Sequence, residues 1–75
     1  MTDEAHLDAL IEDLEIEERE VSAQRHRLHE RLASFPNEVA SRQEQELSKR
    51  RRELHAQIDE LKAERSRRRA EQLDG

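Results

Sequence analysis

The chain has 75 residues, of which 44% are charged and 32% hydrophobic, with one Phe, one Gly, one Pro, no Cys, no Trp and a net charge of -5. At this length a chain buries only about 60% of its unfolded surface even with ordinary apolar content, and without Cys no disulfide or thiolate metal site makes up the deficit. One Gly and one Pro supply too few turns for a sheet, so the abundance of Glu, Arg, Leu, Ala and Gln leaves an all-α class built from long helices.

In chain order, the first element is a helix predicted over about residues 3–34, with Thr2 or Asp3 as its N-cap and acids favourable in its opening turns. Residues 1–20 carry nine acids and a single base, Arg19. The break comes at Ser34-Phe35-Pro36-Asn37: Pro36 disfavours a helical Phe35 and lacks a donor, while Ser34 or Asn37 can cap the next helix. After a turn at about 35–37, a second helix is predicted over about 37–72, closing in a basic turn and Gly75. From residue 41 onward ten bases face eight acids, the last basic cluster lying near the far end. Opposite charges at the two ends favour folding back, so residues 1–75 read as one domain, a two-helix antiparallel coiled-coil hairpin. The Arg65 to Arg69 run then reads as a solvated helix end beside the acidic start.

The apolar pattern supports the hairpin and shows where it is weak. Leu7, Leu14, Val21 and Leu28 recur every seven residues, as do Ala40, Leu47, Leu54 and Leu61 on the second helix. That is a heptad stripe. The companion stripe, four residues later each time, reads Ile11, Glu18, Arg25, Leu32 and then Glu44, Arg51, Ile58, Arg65. Unpaired charge on a seam is expensive, so these residues either pair with one another, snorkel outward, or bound a polar ligand. A hairpin this polar gains from a second copy, and a homodimer forming a four-helix assembly is expected.

A shift of 26 residues superposes Glu18, Glu20, Ser22, Arg25, Leu28 and His29 on Glu44, Glu46, Ser48, Arg51, Leu54 and His55. The offset is not a multiple of seven, and Ser, Arg and His are not usual coiled-coil filler. On the second helix Glu44, Ser48, Arg51, His55 and Asp59, spaced by three or four, form a polar stripe roughly 22 Å long beside the leucines. The first copy is Glu18, Ser22, Arg25 and His29, with Ala33 where the final acid would stand. An Arg fork suits guanine O6 and N7 or a phosphate, and a carboxylate accepts from guanine N1–H and its amino group. A guanine nucleotide is thus a chemically natural ligand.

At these residues the sequence resembles a known family. The spacing E-x3-S-x2-R-x3-Q-x3-D of RsiG-type anti-sigma factors, small actinobacterial helical hairpins, is matched at Glu44, Ser48, Arg51 and Asp59, with His55 in place of Gln; the strings EREVS and EQELSKRRRELHAQID look like the two motif copies. In the first copy Glu18, Ser22 and Arg25 match, His29 again replaces Gln, and Ala33 departs. The resemblance implies a stacked dimer of cyclic-di-GMP held on the coiled coil, and a loaded protein that sequesters a sigma factor of the WhiG, flagellar-related type and so represses transcription. Arg50 and Arg52 are expected as accessory phosphate contacts. Neutral His keeps one donor and one acceptor, and its protonation would make binding depend on pH. With only one complete copy per chain, the ligand is expected between or across two chains.

Other chemistry is weakly supported. His6, His26, His29 and His55 lack partners for a zinc site, and a hairpin without Gly loops or aromatic walls has little means to build a catalytic pocket. No direct contact with DNA is expected, given the acidity and the lack of stacking aromatics. No apolar run approaches the roughly 20 residues of a membrane span, and the acidic start is unlike a targeting signal, so a cytoplasmic location is expected. The competing reading is a plain coiled-coil interaction or assembly module whose polar stripes only set pairing specificity.

Overall fold

The structure is a computed structural model and describes residues 3–74. Thr2 and Gly75, expected as a cap and a stop, lie outside the described residues. Helix α1 runs Asp3–Ser34 and helix α2 Glu38–Asp74, and the chain measures 59 × 14 × 14 Å. Both helices are rich in Leu, Glu, Arg and Ala, strong helix formers, and neither holds an internal Gly or Pro. The all-α hairpin is therefore as expected.

The break is made as the sequence indicates, one residue later than the predicted start of the second helix. The Phe35 amide donates to the Arg31 carbonyl (2.8 Å), closing α1. Asn37 is the cap of α2: its Oδ1 accepts from the amides of Val39 (2.8 Å) and Ala40 (3.5 Å), and its carbonyl accepts from Ser41 N–H (2.9 Å). An N-cap stands outside the helix it caps, which is why α2 begins at Glu38. At the other end α2 continues to Asp74, two residues past expectation.

All sixteen positions of the two heptad stripes are buried or half-buried. Among the described residues full burial is confined to Leu7, Ile11, Val21, Ala40, Leu54 and Ile58, with Leu54 wholly inaccessible. Leu14, Leu28, Leu47 and Leu61 stay half-exposed, as two helices alone can cover only one side of each other's apolar stripe. The antiparallel register is held at the open end by ion pairs of Arg65 with Asp8 (2.8 Å), Arg69 with Glu4 (2.7 Å) and Lys62 with Glu15 (3.3 Å). The acidic start of α1 thus meets the basic end of α2. Phe35 and Val39 project at the tip, the former 75% exposed.

Candidate functional site

The two motif copies face each other across the seam and interlock. Arg25, from the first copy, donates through Nε to Glu44 Oε1 (3.1 Å) and to Ser48 Oγ (2.7 Å) of the second, and Ser48 Oγ donates to the same Glu44 oxygen (3.0 Å). The reciprocal contact runs from Arg51 Nε to Glu18 Oε1 (3.4 Å), which also accepts from Ser22 Oγ (2.8 Å). Each Arg therefore reaches the Glu of the opposite copy, and each Glu is bonded by its own Ser. Exchanging the copies reproduces the Arg–Glu and Ser–Glu bonds, so the 26-residue repeat becomes a local pseudo-two-fold axis across the hairpin. The reason is geometric. In an antiparallel pair, positions at one height have a constant sum of residue numbers, and adding 26 on one helix while subtracting it on the other preserves that sum.

The symmetry fails at the serines, since Arg25 reaches Ser48 while Arg51 makes no bond to Ser22 among the described residues, and at the histidines. His55 Nε2 lies 3.1 Å from Glu18 Oε1; a carboxylate only accepts, so this nitrogen carries the proton. His29 is exposed and makes no hydrogen bond or ion pair among the described residues. Glu18 is the hub, with its side chain 18% exposed. Its carboxyl is held below the ordinary value, chiefly by the Ser22 hydroxyl and further by His55 and Arg51, against an opposing desolvation cost. Glu44 is similarly covered, whereas Arg25 and Arg51 keep about two-fifths of their surface in solvent. The charges of the seam thus pair with one another, with the guanidinium groups at its outer edge.

Asp59 and Arg52 are exposed on α2, each four residues beyond a motif position and so on the motif flank. Arg50 does not share that flank. Its guanidinium is held by Glu17 on α1 (Nε to Oε2, 2.9 Å) and approaches Glu53 (3.7 Å), and the bond to Glu17 raises its pKa above the ordinary arginine value. It helps to line a groove of about 600 Å³ on the opposite side of the seam, walled by Gln24, Arg27, Arg31 and Glu46 and floored by Leu28 and Leu47. Sequence reasoning missed this groove. The signal was available in the spacing 24, 27, 28, 31 and 43, 46, 47, 50, one face of each helix.

Among the described residues no cluster of His, Asp and Glu is arranged to hold a metal ion, and no helix is long and apolar enough to cross a membrane. The site is chemically a pair of guanidinium groups set in carboxylates and hydroxyls. A family model described as RsiG-like matches residues 37–74, just over half of the chain and the whole of α2 with its complete motif copy. No curated protein and no solved structure matches the chain.

Proposed function

The chain belongs to the RsiG-like family, and from that premise we propose that it is a cyclic-di-GMP-responsive anti-sigma factor. It binds and sequesters a sigma factor of the WhiG, flagellar-related type and represses transcription by occlusion, without catalysis. The observation that carries the ligand reading is the convergence of both motif copies on one flank, with Arg25 and Arg51 each held by the acid of the other copy. A plain coiled coil needs no such repeat at a non-heptad offset.

In the free hairpin Glu44 and Glu18 neutralise the two guanidinium groups. Cyclic-di-GMP, a dianion with two guanine edges, offers those groups phosphate oxygens or guanine O6 and N7 in exchange. The released carboxylates of Glu44 and Glu18, with Asp59, then accept from guanine N1–H and amino groups. Ser48, Ser22, His55 and His29 supply the remaining hydrogen bonds. Arg52 is free to move toward a phosphate, whereas Arg50, held by Glu17 on the opposite flank, is not placed to reach it. Little net pairing is lost in the exchange, and an acidic chain can still bind an anion where its bases are local.

Calorimetry with cyclic-di-GMP tests the reading. Binding should be abolished by Arg51→Ala and retained by Arg67→Ala on the exposed helix end; no heat at micromolar protein would remove the ligand and leave the assembly-module reading. Because Ala33 stands where the first copy lacks its acid, a second arrangement places the ligand across two chains. A ratio of two nucleotides per chain favours a stacked pair on each hairpin, and one per chain favours the shared site. Exposed Leu10 and Ile16, with the acids around them, are the outer surface proposed to meet sigma or a second hairpin.

A further inference from the structure

We infer that two copies of the chain associate through the flank opposite the motifs, as an isologous antiparallel pair in which the basic turn-proximal groove of one hairpin receives the acidic open half of its partner. The groove places Gln24, Arg27 and Arg31 on one face of α1. Toward the N-terminus, the same face continues by threes and fours through Glu20, Glu17, Asp13 and Leu10. A single stripe therefore changes sign along its length, acidic toward the open end and basic toward the turn. Asp13, Glu20, Arg27 and Arg31 are exposed and make no ion pair among the described residues. A two-fold axis across the middle of that stripe sets each sign against its opposite twice over, the self-complementarity an isologous contact requires. Any parallel, unreversed stacking would instead set like charge on like.

The apolar content points the same way. Leu28 and Leu47 floor the groove and remain half-exposed, while Leu10 is open to solvent near the acidic end of the stripe. A flank 59 Å long and 14 Å wide offers on the order of 800 Å² to a partner laid along it, the size of one side of a stable interface. The motif flank stays open in such a pair, so each hairpin keeps a ligand face. That last consequence rests on the proposed ligand; the contact between copies does not.

Charge reversal tests the contact without ligand. Light scattering should give twice the chain mass for the wild type, and the chain mass alone for both R27E/R31E and D13R/E20R, with helical content by circular dichroism confirming that each variant still folds. Mixing the two variants should regain the doubled mass, because each then presents the charge its partner lacks. A wild-type monomer at micromolar concentration overturns the inference and leaves the groove to an acidic helix of another protein. Reversed variants that remain dimers, or a mixture that fails to pair, overturn it as well. Arg51→Ala should stay dimeric while losing nucleotide, so failure of the ligand reading and failure of this contact give different results.

Discussion

The open half of the hairpin and the half nearer the turn are built on different principles. From the open end to just past mid-length, Leu7, Ile11, Ile58, Leu54 and Val21 are buried, and the ion pairs of Arg65, Arg69 and Lys62 lie outside them. Between Val21 and the turn the only fully buried side chain among the described residues is the small Ala40, and the seam at that level is Arg25 bonded to Glu44 and Ser48. The first half gains its stability from apolar burial. The second gives its seam positions to paired polar groups. A domain this short is only marginally stable, so separating the two along the axis lets the proposed ligand layer be polar without unfolding the molecule.

The sharpest way to break this contrast is to remove the apolar side. Leu54 is wholly inaccessible, and Leu54→Ala should cost about 2–5 kcal/mol, enough to abolish the cooperative melt followed by circular dichroism. If instead the transition barely moves, stability does not reside in the apolar stretch. The converse substitution removes the polar layer: R25L/E44L should raise stability by roughly 1–2 kcal/mol, since apolar replacements of paired charges are commonly neutral or stabilising, with the gain limited by the solvent contact Arg25 retains. The same variant should lose cyclic-di-GMP binding. A destabilised R25L/E44L would show that the polar layer holds the turn half together. A smaller effect is expected at the turn, where Asn37→Ala should cost about 1 kcal/mol by leaving the Val39 and Ala40 amides without their cap.

Much of this arrangement was legible in the sequence because it depends on spacing alone. The seven-residue rows fix which face of each helix turns inward, and Pro36 with Asn37 fixes where the chain reverses; together these set the register and bring Ser22 and Arg25 level with Ser48. The basic run from Arg65 to Arg69 could be read as a helix end beside acids, and Asp8 and Glu4 are indeed its partners. What spacing on one helix does not contain is the choice of partner across the seam. That Arg25 reaches Glu44, that Arg50 turns to Glu17 and away from the motif flank, and that His55 but not His29 finds a carboxylate depend on the azimuth of each side chain about a shared axis. The repeat shows that two copies exist, and only the folded pair shows that they interlock.

The smallest effect sharpens the contrast at the boundary between the halves, where Glu18 sits. Its carboxyl is held below the ordinary value of 4.5, first by the Ser22 hydroxyl, then by His55 and Arg51, so the folded hairpin binds that proton less readily than the unfolded chain does. Linkage fixes the sign: the contribution of Glu18 is fully present above its unfolded value and is lost as pH falls through its depressed folded value. The melting temperatures of the wild type and Glu18→Gln should therefore differ at neutral pH and converge in acid below the ordinary carboxylate range, by less than the Asn37→Ala effect. Comparing the two proteins cancels the titration of the other acids, which they share. A gap that is independent of pH would mean that Glu18 acts through packing, and a gap that widens in acid would reverse the sign required by a depressed carboxyl. Convergence would identify Glu18 as a carboxylate stabilised by its neighbours in the free protein, the state from which the proposed ligand exchange would release Arg51.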